Sequence, residues 1–145
     1  MNHTYFITGI STEVGKTLTS AIVVEALQAD YWKPIQSGDK HASDAMKVKE
    51  LISNSKTHFF PSSYEFEYPA SPHLSAQMEG ITIEKDKIVR PVSSRPLVIE
   101  AAWGLFVPLN DHDIMMELIA PSDRVILVSR HYLGSINHTL LSVEA

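Results

Sequence analysis

Residues 9–17 read Gly-Ile-Ser-Thr-Glu-Val-Gly-Lys-Thr. This stretch constrains the fold more than any other. The segment before it, Tyr5-Phe6-Ile7-Thr8, has the apolar, β-prone character of a short buried strand, and residues 17–29 read as a helix. A glycine-bearing turn between a strand and a helix points backbone N–H groups at an anion, and the positive end of the helix dipole adds to the attraction. Lys16 can reach the β- and γ-phosphates of a nucleotide, and the Thr17 hydroxyl can ligate Mg²⁺. The spacing is a variant one. Five residues separate Gly9 from Gly15, Ile10 stands where the general pattern has its first glycine, and Glu13 lies within the loop.

The rest of the chain alternates strand-like and helix-like segments. The helix at 17–29 offers Ile22, Val23, Ala26 and Leu27 as its apolar face. Residues 31–35 form a strand running into a polar turn at 36–39. A helix is expected over 43–52 with Ser43 as N-cap, and a short one over 72–78 ending at Gly80. Residues 54–73 read as loop, and 81–89 are ambiguous. Leu97-Val98-Ile99-Glu100 is a buried strand with a carboxylate at its end. Residues 111–119 are expected to be helical. The run Val125-Ile126-Leu127-Val128 has the continuous apolar character of a central parallel strand, and a last helix covers 136–145 with Ile136, Leu140, Leu141 and Val143 apolar. This alternation predicts an α/β fold over residues 1–145: one three-layer domain of the P-loop NTPase kind, with a mainly parallel sheet flanked by helices. Ligands of such sheets bind beyond the carboxyl ends of the strands, where Gly9, Lys33, Glu100 and Ser129 fall.

Composition narrows the class. Of 145 residues 44% are hydrophobic and 20% charged, with a formal net charge of −5, which argues against a nucleic-acid binder. The absence of cysteine excludes disulfides and thiol chemistry. No apolar run reaches the roughly 20 residues of a membrane span, and Met1-Asn-His-Thr4 lacks a leader pattern and enters the first strand directly, so a cytoplasmic protein is expected. The last helix stops without a C-cap signal, which reads as a truncated chain or domain fragment, or else as a natural end that frays.

Three further groups collect at the phosphate-loop edge. Lys33 is either a snorkelling side chain or a cation for phosphoryl charge. Asp44 either complements a helix dipole or ligates a metal. Glu100 is expensive to bury alone and suits a metal. Thr17, Asp44 and Glu100 with phosphate oxygens form an oxygen set fit for Mg²⁺.

In this order the motifs resemble the dethiobiotin synthase family. Gly9-Ile-Ser-Thr-Glu-Val-Gly-Lys-Thr17 is similar to its variant phosphate loop, and Lys33-Pro-Ile-Gln-Ser-Gly38 to its second motif. Ser43-Asp-Ala45 matches its metal-aspartate segment. Ala70-Ser-Pro-His73 and Leu133-Gly-Ser-Ile-Asn-His138 also have counterparts. The resemblance implies a cyclo-ligase of biotin synthesis using ATP, Mg²⁺, 7,8-diaminopelargonate and CO₂ or bicarbonate. It passes through a carbamate and a carbamic–phosphoric anhydride to the ureido ring. It implies Lys33 and Lys16 as catalytic and Thr17, Asp44 and Glu100 as metal ligands. Nucleotide contacts would come from Thr12, Glu13, Val14, Gly15, Lys16, Thr17, Leu18, Asp44 and Glu100. Substrate contacts would come from Thr12, Lys33 and Ser37, and, at a homodimer interface, from Gly134, Ser135, Ile136 and Asn137.

The chain departs from the family after Glu100. Where the family has Glu-Gly-Ala-Gly-Gly, this sequence has Glu100-Ala-Ala-Trp-Gly104, and the indole of Trp103 either obstructs the reacting groups or points away and packs on the surface. The family also continues for roughly another third of its length, with the adenine-recognition segment, so the chain is expected to be an N-terminal portion. Two other readings stay open: a P-loop ATPase switch of the partitioning type, and a non-catalytic remnant.

Overall fold

The computed structural model describes residues 3–145, the side chain of Lys40 apart. The expectation about the first four residues falls partly on Met1 and Asn2, which lie outside the described residues. Five strands form an all-parallel sheet: β1 (Thr4–Gly9), β2 (Asp30–Trp32), β4 (Phe59–Phe60), β6 (Leu97–Gly104) and β7 (Arg124–Val128), in the order β4-β2-β6-β1-β7. Two more, β3 (Ile35–Ser37) and β5 (Tyr64–Phe66), pair as a separate parallel ribbon. The helices are α1 (Lys16–Leu27), α2 (Asp44–Leu51), α3 (Pro72–Met78) and α4 (Ser135–Glu144).

Strand periodicity divides the core in two. Phe6, Trp32, Leu97, Ile99 and Ala101 face one side, where Ile35, Phe66, Ala76, Ile83, Leu109 and Met115 cover them. Ile7, Tyr31 and Val98 face the other, under Ala21 and Val24 of α1 and Val48 of α2. The result is a three-layer α/β arrangement of the P-loop NTPase kind. Glu100 lies two residues beyond Val98 and so shares the α1 side with Tyr31. That parity decides which groups can reach it.

Several expectations need correcting. The buried positions of α1 are Lys16, Ser20, Ala21 and Val24, and of the expected face only Val23 packs half-buried on the core, whereas Ile22 is 61% exposed and Ala26 and Leu27 face solvent. The helix is apolar on most of its circumference, so periodicity does not select a face; docking of the phosphate loop onto the sheet does. The strand at 31–35 breaks at Lys33-Pro34, because proline cannot donate to a ladder. The expected turn at 36–39 begins instead as β3, with Pro34 O accepting from the Ser63 and Tyr64 amides. The loop at 54–73 holds the short strands β4 and β5. The helix at 111–119 reduces to a 3₁₀ turn at Met115–Leu118. There the Asn110 side chain accepts from the His112 and Asp113 amides, a local bond that competes with helix. Strand β6 runs past Glu100 to Gly104, and β7 lies at a sheet edge, paired only with β1 among the described residues.

Candidate active site

The loop after β1 closes tightly on itself. A Cβ on Gly9 would sit 2.6 Å from Val14 Cγ2 and 2.9 Å from Ser11 O. Gly15, at φ 105°, begins α1 in a conformation that a side chain rarely tolerates. Glu13 also takes positive φ, 54°. Lys16 folds back over the loop and donates to Ser11 O at 3.0 Å. Burial, then the neighbouring Lys33 ammonium, lowers the Lys16 pKa to about 8.

Lys33, released from the sheet by the break before Pro34, enters the same cleft. It lies 2.6 Å from Asp44 Oδ2 and 3.5 Å from Glu100 Oε1, and it is only 5% exposed. Burial works against its charge, but Glu100 and Asp44 outweigh burial and hold its pKa above the ordinary lysine value. Asp44 opens α2, with Ser43 Oγ accepting from Met46 N at 3.3 Å as the N-cap. Burial opposes ionisation of Asp44 too, yet Lys33 keeps its pKa low. Glu100 accepts from Thr17 Oγ1 at 2.8 Å and from the Tyr31 hydroxyl at 2.9 Å. A buried cation between two carboxylates, with hydroxyls on the remaining lone pairs, meets the condition for burying charge without a large penalty.

These groups surround a cleft of about 660 Å³ at the carboxyl ends of β1, β2 and β6. Of the residues expected from sequence, Thr12, Glu13, Gly15, Lys16, Thr17, Lys33, Ser37, Asp44 and Glu100 line it. Val14 is buried against Gly9 beneath the loop, and Leu18 faces solvent. Gly134, Ser135, Ile136 and Asn137 start α4 and do not line the cleft. The Ser37 hydroxyl is buried without a protein hydrogen-bond partner, at the cleft wall.

Sequence reasoning missed Gln36, Asp39, Lys47, Pro69 and Ala102, which also line the cleft, and Tyr31 behind it. Gln36 braces the turn: its Nε2 donates to Gly38 O at 2.9 Å, and its Oε1 accepts from Asp44 N at 3.4 Å. Gly38, at φ 71°, lies so close to Pro69 that a Cβ would meet it at 2.7 Å. The proximity of Asp39 and Pro69 to Lys33-Pro34 depends on the β3–β5 pairing, which such short strands hide. Lys47 follows Asp44 by three residues, the helical spacing at which an ion pair forms, here at 3.6 Å.

Trp103 occupies an unusual place. Between the pairs Ile7–Glu100 and Gly9–Gly104, β6 has two more residues than β1, so the strand bulges. Trp103 sits in that bulge at φ 63°, a conformation in which a bulky side chain is an outlier. Its indole both lines the cleft and packs on the core cluster containing Ala101 and Ala102.

Comparison with known proteins places this geometry. A family model described as an AAA domain matches residues 3–145. The chain is 58% identical over its whole length to the ATP-dependent dethiobiotin synthetase BioD of Christiangramia forsetii, covering 70% of that protein. It is 47% identical to the protein of the same name from Brucella anthropi, covering 69% of it. With the one from Cytophaga hutchinsonii it shares 47% identity over 97% of this chain and 68% of the relative. The ordered motifs, the phosphate loop and this similarity along the full chain agree: the chain belongs to the ATP-dependent dethiobiotin synthetase family.

Proposed function

We propose that this chain acts in biotin biosynthesis as an ATP- and Mg²⁺-dependent ligase. In that reading it closes the ureido ring of dethiobiotin on 7,8-diaminopelargonate and CO₂. The observation that carries the reading is the buried Lys33 ammonium, held between Asp44 and Glu100 at the mouth of the phosphate loop. The pattern serves no stability purpose that apolar side chains would not serve as well. It does suit a reaction in which negative charge gathers at a phosphoryl group.

One substrate amine forms an N–C bond to CO₂ and loses a proton, giving a carbamate. A carbamate oxygen attacks the γ-phosphorus of ATP, and ADP leaves. The second amine attacks the carbonyl carbon of the resulting anhydride, loses a proton, and phosphate departs. Lys16 holds the transferring phosphoryl group from the loop side, and the neighbouring Lys33 ammonium stabilises its charge and that of the carbamate. The Ser37 hydroxyl, buried and unpartnered by protein, and Thr12 at the cleft rim are placed for the carbamate end.

The donor chemistry of Thr17, Asp44 and Glu100 fits Mg²⁺, since all three offer oxygen. Among the described residues no cluster of three or more His, Cys, Asp or Glu could hold a metal, so the Thr17 hydroxyl and phosphate oxygens would complete the set. Bound Mg²⁺ would supply positive charge that neutralises the phosphates.

Gly134, Ser135, Ile136 and Asn137, outside the cleft of their own chain, are assigned to the substrate's carboxylate tail across a homodimer. Residues 1–145 act as one cytoplasmic domain. Among the described residues no helix is long and apolar enough to cross a membrane. Membership of the synthetase family leaves the partitioning-type switch without support. A binding-only reading draws on Trp103, whose indole shares the cleft wall.

Lys16→Ala decides the assignment of the loop. Nucleotide-dependent ureido formation should fall to background. Retained turnover would sink the proposed role. A wild-type chain that binds Mg–ATP and diaminopelargonate in calorimetry yet never closes the ring would favour binding alone.

A further inference from the structure

Glu100 is 1% exposed, and each of its oxygens meets a hydroxyl from a different element. Thr17 Oγ1, at the start of α1, donates to Oε1 at 2.8 Å from the cleft side. The Tyr31 hydroxyl donates to Oε2 at 2.9 Å from behind. Tyr31 does not line the cleft. It stands on β2, opposite Val98 of β6, and by strand parity points to the same face as Glu100. Its ring is fully buried and lies 5.5 Å from the Phe59 ring, so the hydroxyl has little freedom to turn elsewhere. The nearest cation to the carboxylate is Lys33, 3.5 Å from Oε1.

We propose that Tyr31 is a positioning residue, whose hydroxyl anchors Oε2 of Glu100 so that Oε1 stays turned toward Thr17 and the phosphate cleft. This rests on the reading of Thr17, Asp44 and Glu100 as the metal–nucleotide set. Without the anchor, Oε2 is a buried acceptor with no donor, and the carboxylate turns toward the Lys33 ammonium to regain one. That rotation removes a ligand oxygen from the cleft while leaving the phosphate loop intact. Outer partners of metal-ligating carboxylates act in this way, and their loss typically costs about 10–100-fold in metal affinity.

The test is Tyr31→Phe, which keeps the ring and deletes only the hydroxyl. Calorimetry on the whole chain measures ATP binding with Mg²⁺ and, separately, with EDTA. Mg–ATP should bind about 10–100-fold more weakly, and metal-free ATP should bind as to wild type. In a Glu100→Gln background the same change should leave the ratio of the two affinities unmoved. A merely structural Tyr31 would weaken both ligands alike, and that result, or an unchanged ratio, overturns the proposal. If the wild-type chain binds neither form of ATP, the site reading fails and the anchor with it. Should Tyr31→Phe not fold, the Tyr31 hydroxyl proton of the wild-type chain carries the test by NMR. It stays protected from exchange when Mg–ATP is added; its loss on loading overturns the role.

Discussion

In the cleft, Lys33 and Glu100 are ions withdrawn almost completely from water, and the Lys33 ammonium has Asp44 at 2.6 Å and Glu100 at 3.5 Å. Along the β7–α4 edge the pattern is inverted. Ile136 is 77% exposed and Leu140 64%, with Leu133, Leu141 and Val143 beside them in the open. One region buries what water would normally keep, and the other shows water what it would normally reject. The difference lies in how partners are delivered. Lys33, Asp44, Thr17, Tyr31 and Glu100 arrive on strand ends and helix starts whose relative positions the parallel sheet dictates. The apolar stripe of α4 has no comparable surface set against it among the described residues.

Three substitutions sharpen or break this contrast. The largest effect belongs to Lys33→Met, which leaves the buried Glu100 without its cation and Asp44 with Lys47 alone, at 3.6 Å. Removing one partner of a buried ion pair costs about 3–5 kcal/mol, to be read from urea midpoints at unchanged m. A loss below 1 kcal/mol would mean that the cleft charges are solvated and that the two regions differ less than their burial suggests.

Trp103→Gly comes next. The indole narrows the cleft, and its backbone sits at a positive φ that glycine adopts freely. Mg–ATP or substrate affinity should rise about tenfold, roughly 1.4 kcal/mol, with only modest change in the thermal midpoint. A drop in stability with affinity unchanged would make the indole a core residue and end the obstruction idea. The smallest effect is expected from Leu140→Ser on α4, within about 0.5 kcal/mol. A larger loss would show that this stripe is covered in solution, and sedimentation would then tell whether a second copy covers it.

The phosphate loop was legible in the sequence because its geometry leaves few alternatives: Gly9 and Gly15 each stand where a side chain clashes or strains. Ser43 and Asp44 were legible for the same reason, as a capped helix start. The faces of α1 were not, since a helix apolar nearly all round carries no phase. Nor were the β3–β5 ribbon and the turn at 110–119. There, strands of three residues and one asparagine side chain outweigh any periodic signal. Tyr31 reads in sequence as an ordinary core aromatic. Only the pairing of β2 with β6 reveals that its hydroxyl ends on Glu100.

The bond between Thr17 and Glu100 joins residues 83 positions apart. Mg–ATP gripping both would therefore act as a removable staple on a long loop of chain, and its binding energy would be drawn into the folding equilibrium. For such a molecule, the nucleotide supply of its surroundings becomes a setting of how long the polypeptide itself survives.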